Sequence, residues 1–121
     1  MQHHIGTDII EIERIRQAIE RFGDLFLNRV YTRDELTIYG HHAHSLAASF
    51  TGKEAVMKVL GTGNRGVAWR EIEILYRDSG KPYIRLSGRA VNEAKKLGIK
   101  EIDISLSHSR EDAIAVAIGT T

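Results

Sequence analysis

Two acidic side chains and one lysine in the sequence have the chemistry to bind a metal ion and a phosphate. Glu54 and Lys58 are four residues apart and, at about 100° per residue, share one edge of the apolar face of a predicted helix. Asp8 lies near the end of a predicted isoleucine-rich strand. Carboxylates from two separate elements, retained waters and substrate phosphate oxygens form the octahedral oxygen site that Mg²⁺ prefers. The lysine would then contact the phosphate.

These residues also have ordinary structural explanations. A Glu–Lys pair four residues apart stabilises an exposed helix by about 0.2–0.5 kcal/mol, and an aspartate at the end of a strand often caps the next helix. Spacing alone favours the exposed pair for Glu54 and Lys58, and it leaves both roles open for Asp8.

A glycine-rich segment, GTGNRG at 61–66, matches the dinucleotide-binding pattern GxGxxG. It follows a predicted helix instead of a strand, and no convincing helix comes after it, so a Rossmann nucleotide site is disfavoured. Two interpretations remain open. The segment is either a plain loop that ends the helix, or a loop whose amides and Arg65 lie near phosphate.

The histidines suggest two different sites. The closely spaced His41, His42 and His44 suggest a zinc site. They lie in a predicted loop without an obvious third kind of ligand, however, and this setting favours a solvated surface. His108 ends a predicted strand between two serines. It is either a satisfied core histidine or an anion ligand.

Two arginines mark one edge of the first predicted helix. Arg14 and Arg21 are seven residues apart beside the apolar stripe of an amphipathic helix predicted over 11–26. That edge suits an acidic partner helix, and ordinary solvated arginines are the alternative.

Periodicity and turn signals predict the elements that must position these residues. The predicted strands are 3–10, 71–76, 82–87, about 101–108 and 112–118. The predicted helices are 11–26, a short one with a Thr32–Glu35 capping box, a long one that ends at Leu60 before Gly61, and 88–97 before Gly98. The turn at 78–81 joins two strands as a hairpin. We therefore expect one α+β domain over 1–121, with a mainly antiparallel sheet packed with one long and several shorter helices.

The last predicted strand is apolar on both faces. Isoleucine and valine alternate with alanine through residues 113–118, so both faces should be covered. A domain of this size has few helices left for a second sheet face, and we expect another subunit to cover it.

Composition excludes several classes of protein. The chain has 121 residues, enough for one domain, and a formal net charge of +1, which gives no overall field to hold nucleic acid. It has no cysteine, which excludes disulfides and thiolate metal sites and suits a reducing compartment. No apolar run approaches a membrane span, and the N-terminus lacks the pattern of a signal peptide. We expect a cytoplasmic protein that binds neither nucleic acid nor membrane.

Five segments, taken together and in order, resemble holo-acyl-carrier-protein synthases, the short and trimeric class of 4'-phosphopantetheinyl transferases. The segments are GTDIIEIERI at 6–15, FLNRVYTRDEL at 26–36, FTGKEAVMKVLGTG at 50–63, GKPY at 80–83 and SLSHS at 105–109. The similarity spans nearly the whole chain. Its specific element is the early aspartate combined with Lys-Glu-Ala and a lysine four residues after the glutamate.

The resemblance implies a 4'-phosphopantetheinyl transferase-like fold and a Mg²⁺-dependent reaction in fatty acid biosynthesis. The 4'-phosphopantetheine of coenzyme A would pass to a serine of apo acyl carrier protein, with release of adenosine 3',5'-bisphosphate. By this similarity Asp8 and Glu54 bind the metal against the pyrophosphate of coenzyme A, and Lys58 stabilises or protonates the leaving phosphate. The base that activates the serine is either Glu54 or a metal-bound water.

The resemblance also implies the binding contacts and the assembly. The implied coenzyme A contacts are Lys58, His108 and the turn formed by Gly80, Lys81 and Pro82. Arg14 and Arg21 would contact acidic helix residues of the carrier protein. The class forms homotrimers with active sites between subunits, which agrees with the doubly apolar last strand.

Four residues depart from the family pattern. Ser49 stands where arginine is usual, so an expected anion contact is missing, and Asp112 stands where an aromatic residue is common near His108. Thr51 and Gly52 replace alanines. Glycine within a helix costs about 1 kcal/mol relative to alanine, so the turn at Gly52 is either irregular or closely approached by another part of the chain.

Two other functions fit the same residues. A non-catalytic module would recognise a carrier protein or another acidic helix through Arg14 and Arg21. A Mg²⁺-dependent hydrolase of a small nucleotide diphosphate would use Asp8, Glu54 and Lys58 but transfer the phosphate to water.

Overall fold

The computed structural model describes residues 1–63 and 66–121 and contains five helices and five strands in those ranges. In chain order they are β1 His3–Glu11, α1 Ile12–Phe22, α2 Asp24–Val30, α3 Arg33–Tyr39, α4 Ala43–Leu60, β2 Ile72–Tyr76, β3 Pro82–Leu86, α5 Gly88–Leu97, β4 Glu101–His108 and β5 Asp112–Thr120, with a single 3-10 turn at Trp69–Glu71 before β2.

The strands form two antiparallel sheets. The larger sheet has the order β1-β5-β4, so β5 is its central strand, and β2 and β3 form a separate hairpin. Asp8 on β1 lies opposite Ala115 on β5, which in turn lies opposite Leu106 on β4. The expected α+β class with mainly antiparallel pairing is confirmed.

Helix α4 is the centre of the fold and is buried on nearly all sides. It packs against β1, β4 and β5 of the larger sheet and also against α1, α5 and β2. Between Thr51 and Leu60 every residue is buried except Glu54 and Lys58. The sequence predicted a narrower apolar arc bordered by these two charges. Between Thr51 and Leu60, helix α4 is therefore accessible to solvent only at Glu54 and Lys58.

Two glycines allow the close packing that places Asp8. A Cβ on Gly6 of β1 would overlap the carbonyl oxygen of Ala55, so the strand backbone rests directly on α4. A Cβ on Gly52 would lie 2.5 Å from Cδ1 of Ile74. Close approach of the strand to the helix therefore requires glycine at position 6, and close approach also explains Gly52.

The prediction of one helix over 11–26 was wrong. Gly23 adopts φ 55°, a conformation that favours glycine, and its amide donates to the carbonyl of Ile19, which ends α1. The chain then turns and restarts as α2 with its apolar residues still at helical spacing. Arg14 and Arg21 therefore belong to α1, whereas Leu25 belongs to α2.

The remaining helix signals agree with the structure. The capping box of Thr32 and Glu35 begins α3, and Gly61, at φ 74°, ends α4. Gly98, at φ 73°, ends α5. Arg65, for which the sequence left a phosphate contact open, lies outside the described residues. No helix in the described part of the chain is long and apolar enough to cross a lipid bilayer.

The larger sheet has one covered face and one open face. The alanines of β5 pack inward and are fully buried. On the opposite face Ile5 and Ile9 of β1 lie beside Ile118 and Ile114 of β5, and these side chains are 39–64% exposed. The two apolar faces predicted for the last strand are present, and the outer one is uncovered in the single chain.

Candidate functional site

Asp8 reaches from β1 to α4 and contacts two of its residues. The hydroxyl of Thr51 donates to Oδ2 of Asp8 at 2.6 Å, and the Lys58 ammonium donates to Oδ1 at 3.1 Å. Lys58 also donates to the Thr7 carbonyl at 2.7 Å. The Asp8 side chain is 20% exposed and that of Lys58 is 54% exposed. The pair is therefore fixed at its base and open to solvent on one side.

Glu54 lies between the two α4 residues that contact Asp8. Thr51, Glu54 and Lys58 follow one another at spacings of three and four, so their side chains share one face of the helix. The Asp8 carboxylate accepts hydrogen bonds from Thr51 and Lys58 and is therefore held over the helical turn that carries Glu54. The structure thus brings the strand carboxylate and the helix carboxylate to the same side of α4.

The indole of Trp69 contacts Glu54 as well. Its Nε1–H donates to Oε1 of Glu54 at 2.9 Å. Trp69 begins the short 3-10 turn before β2, and its ring lies 5.7 Å from that of Phe50 on α4. The half-buried Glu54 is thus hydrogen-bonded to an aromatic side chain and remains partly exposed to solvent.

This donor set fits a hard divalent cation with open coordination positions. Carboxylate oxygens are the ligands that Mg²⁺ prefers, and each oxygen of Asp8 and Glu54 can accept more than one bond. Within residues 1–63 and 66–121 no three His, Asp or Glu side chains are grouped to hold one metal ion. Waters and substrate oxygens would have to supply the other ligands. In the same ranges His41, His42 and His44 do not form a metal-binding cluster, so the structure does not support the zinc hypothesis.

A buried ion pair supports the site from within the core. Lys53 and Glu35 are both fully buried, with Nζ 2.7 Å from Oε1. The Lys53 ammonium also donates to the carbonyls of Trp69 at 3.1 Å and Ile72 at 2.6 Å. Burial lowers the pKa of Lys53 below its ordinary value, and the Glu35 carboxylate opposes that shift. The pair ties α4 to the segment that carries the Trp69 indole.

A second group of candidate residues lines a cleft elsewhere on the chain. The predicted contacts Gly80, Lys81, Pro82 and His108 surround a cleft of about 500 Å³, together with His44. The rings of His44 and His108 lie 5.2 Å apart. A lysine and two histidines around one opening suit a phosphate-bearing ligand. His108 thus faces a cleft instead of the packed core.

The cleft and the carboxylates lie apart within one chain. His44 is at the start of α4, and Glu54 is ten residues further along, which is about 15 Å at 1.5 Å per residue. Asp8 and His108 are on β1 and β4, the two edge strands of the larger sheet. One protomer therefore brings Asp8, Glu54 and Lys58 together but does not bring the cleft residues to them.

The two arginines of α1 remain exposed. The Arg14 side chain is 73% exposed, and Arg21 lies over the ring of Phe22 with its guanidinium 5.3 Å from the ring centre. Next to Arg21 is an apolar groove of about 390 Å³ whose lining includes Phe22, Leu25 and Trp69. A basic edge beside an apolar groove fits a helix with acidic and apolar residues.

Sequence reasoning missed several contributors. Thr51 was noted only as a departure from the family pattern, although its spacing from Glu54 and Lys58 placed it on the same helix face. No sequence pattern pointed to Trp69, because its partner Glu54 lies fifteen positions earlier and nothing in the sequence links the two residues. Lys53 was also missed, since a lysine within a helix is normally exposed.

The family departures have different consequences in the structure. Ser49 is buried and lies 3.5 Å from Glu35 Oε2, so it supplies no anion contact at the surface. Thr51 contacts Asp8 directly. Asp112 is the first residue of β5 and pairs across from Glu11, the last residue of β1, and its amide donates to the Ser109 hydroxyl at 3.2 Å.

A protein-family model and a relative of known name each match more than nine-tenths of the chain. The profile described as the 4'-phosphopantetheinyl transferase superfamily matches residues 4–117. A holo-(acyl-carrier-protein) synthase from Gloeobacter violaceus is 48% identical over 117 residues, which cover 93% of this chain and 89% of the relative.

Solved structures of similar proteins share the fold. The holo-(acyl-carrier-protein) synthase of Neisseria meningitidis superposes with a TM-score of 0.90 at 32% identity and covers 98% of both chains. The Helicobacter pylori synthase, crystallised in complex with coenzyme A, superposes with a TM-score of 0.88 at 31% identity, covering 96% of this chain and 99% of the other.

Proposed function

The chain belongs to the 4'-phosphopantetheinyl transferase superfamily, and from that premise we propose that it is a holo-acyl-carrier-protein synthase. It moves the 4'-phosphopantetheine group of coenzyme A to a serine of apo acyl carrier protein, in the cytoplasm, for fatty acid biosynthesis. The observation that carries this proposal is the pairing of Lys58 with Asp8 on the face of α4 that also carries Glu54, in a chain 48% identical to a protein named for that activity.

The reaction exchanges one phosphorus–oxygen bond for another. The serine hydroxyl of the carrier attacks the phosphorus that bears the pantetheine, and the bond to the bridging oxygen breaks. Adenosine 3',5'-bisphosphate leaves with the electron pair of that bond. Lys58 is exposed and already paired with Asp8, so its ammonium is placed to neutralise charge on the leaving phosphate or to protonate it.

Asp8 and Glu54 would hold a magnesium ion. When bound there, Mg²⁺ would act as a Lewis acid that draws negative charge from the pyrophosphate oxygens. The residues themselves provide the fixed negative charge, and the half-buried setting strengthens it relative to water. Oε2 of Glu54 receives no hydrogen bond from the described residues, so it is also free to accept the serine proton.

The active site is completed between subunits of a homotrimer. The cleft of Lys81 and His108 lies well away from Glu54 within one chain, and the uncovered face of β1 and β5 provides an apolar surface for another copy. We infer that the cleft of one protomer holds the adenosine end of coenzyme A. Lys58 of its neighbour would contact the pyrophosphate, beside the neighbour's Asp8 and Glu54, which would hold the metal.

Assembly is predicted to depend on the outer face of the larger sheet. Ile114→Asp places a charge beside Ile9 in the middle of the apolar surface, and desolvation of that charge opposes association. We expect native mass measurements to shift from trimer to monomer, with loss of transfer. Ile38→Asp on α3, which alters a side chain 50% exposed outside this surface, should leave the trimer intact. A wild-type monomer with full activity would contradict the shared site.

Carrier-protein docking is predicted to depend on Arg14 and Arg21. For Arg14→Ala we expect the KM for apo carrier protein to rise about fivefold, equivalent to about 1 kcal/mol, with a larger effect at low salt. The KM for coenzyme A should not change. Arg16→Ala is the matched control, because Arg16 lies on another face of α1 and pairs with Glu13 at 3.4 Å. An equal effect of both substitutions would contradict a specific docking edge.

One assay separates the proposed activity from its two rivals. Purified protein is mixed with coenzyme A, Mg²⁺ and apo carrier protein, and the intact mass of the carrier is measured. Transfer adds a mass equal to one phosphopantetheine. A binding module would retain the carrier without changing its mass, and a hydrolase would cleave coenzyme A in the absence of carrier.

A further inference from the structure

We propose that Thr51 and Trp69 are positioning residues, each of which holds one of the two site carboxylates with an uncharged donor. Thr51 orients Asp8, and Trp69 orients Glu54. This inference rests on the proposed function, because it concerns how the same two carboxylates are prepared for a divalent cation.

The Thr51 hydroxyl donates its hydrogen bond to Asp8. A threonine within a helix commonly bonds to a carbonyl of the preceding turn. Here the fully buried Thr51 instead donates at 2.6 Å to a carboxylate on another element. With Lys58 on the other oxygen at 3.1 Å, each Asp8 oxygen has its own donor, which fixes the plane of the carboxylate. The remaining lone pairs are left for a ligand on the open side.

The Trp69 side chain can orient Glu54 but has no group that could act in catalysis. The indole N–H donates but accepts nothing, so it neither takes a proton nor binds a metal. The ring is itself restrained, since it packs on Phe50 and the Arg29 guanidinium lies 5.8 Å from it. Its backbone carbonyl accepts from buried Lys53. A restrained donor on Oε1 of Glu54 limits the rotation of that side chain and leaves Oε2 available.

Fixing both carboxylates before a cation arrives reduces the entropy lost on binding, because a glutamate side chain that is already immobilised has less rotamer freedom to lose. Partners that orient metal ligands typically change metal affinity or activity by about 10–100-fold when they are removed. Thr51 and Trp69 are therefore expected to act on the affinity for the cation more than on folding.

The Thr51 hydrogen bond is tested by two close substitutions. Thr51→Val keeps the shape and removes the donor, whereas Thr51→Ser keeps the donor. Trp69 is the single tryptophan of the chain, so its emission reports on the site when Mg²⁺ is added in the presence of coenzyme A. We expect the Mg²⁺ dissociation constant to rise about 10-fold or more in Thr51→Val and to stay within about twofold of wild type in Thr51→Ser. Equal constants in the valine variant and wild type would overturn the role of Thr51.

The Trp69 hydrogen bond is tested by calorimetric titration of Mg²⁺ into the protein with coenzyme A bound. Trp69→Phe keeps an aromatic ring and removes the donor, and it should weaken Mg²⁺ binding about 10-fold. Phe50→Leu removes the packing ring but keeps the donor, and its effect should be much smaller. Equal losses in both variants would assign the effect to packing and overturn the role of Trp69.

Two controls keep the outcomes distinct. Melting temperatures show whether each variant folds, and Thr51→Ala replaces the valine variant if the latter does not, because it also lacks the hydroxyl. Wild-type protein that gives no heat with Mg²⁺ and coenzyme A would contradict the proposed metal site itself. Wild-type binding with unchanged affinity in Thr51→Val or Thr51→Ala and in Trp69→Phe would overturn only the positioning roles.

Discussion

Asp8→Asn and Glu54→Gln are each expected to lower kcat for phosphopantetheine transfer about a thousandfold. Lewis-acid stabilisation of a phosphoryl transition state contributes several kcal/mol, and about 4 kcal/mol corresponds to that factor. Each amide keeps the shape of the carboxylate and one acceptor oxygen, and Asp8→Asn gives up only one of the two bonds from Thr51 and Lys58, so both variants should still fold. Steady-state rates and melting temperatures, measured on the same preparations, check both parts.

A matched substitution tests whether the loss depends on position. Asp34 forms a surface ion pair with Arg85 at 3.0 Å, with its side chain 66% exposed. Asp34→Asn makes the same chemical change as Asp8→Asn, and such surface pairs contribute little. We expect its rate to stay within about twofold of wild type. Normal turnover in both Asp8→Asn and Glu54→Gln would show that these carboxylates do not hold the metal.

The second large effect is on stability. Lys53→Met is expected to lower the free energy of unfolding by about 3–5 kcal/mol, because it leaves the buried Glu35 carboxylate without its cation. The carbonyls of Trp69 and Ile72 also lose their donor. A destabilisation of this size corresponds to a fall in melting temperature of roughly 10 °C or more for a domain of this length. Chemical denaturation provides the direct measurement.

An exposed lysine and a double substitution serve as controls for that result. Lys96→Met removes a lysine that is 70% exposed and pairs with Glu93, so it should change the free energy of unfolding by less than about 1 kcal/mol. Adding Glu35→Leu to Lys53→Met removes the unpaired charge and should recover part of the loss. Equal stability of Lys53→Met and wild type would mean that this pair does not hold α4 to the segment before β2.

Local signals predicted most of the secondary structure. The capping box at Thr32, the glycine stop after Leu60 and the hairpin at 78–81 each depend on residues close together in sequence, and each agrees with the structure. The break at Gly23 was missed because the apolar spacing continues across it at the same period. A positive φ at one glycine, which periodicity does not report, divides α1 from α2.

The site was predictable only in part, for a physical reason. Carboxylates and lysines can be selected by type and spacing, which is how Asp8, Glu54 and Lys58 were chosen. Their supporting partners depend on contacts between distant elements. Thr51 meets Asp8 across 43 positions, and Lys53 meets its buried partner across 18. The burial that makes the Lys53 pair important arises from packing on every side of α4, which the helical pattern of that segment did not indicate.

The most direct test is a crystal soaked with coenzyme A and Mn²⁺, an oxygen-binding substitute for Mg²⁺ whose anomalous scattering locates it. We expect a peak between Asp8 and Glu54, with one oxygen of each carboxylate at about 2.1–2.2 Å and a pyrophosphate oxygen completing the contact. A peak bound to the pyrophosphate but to neither carboxylate, or two carboxylates too far apart to share the ion in any protomer, would contradict the site described above.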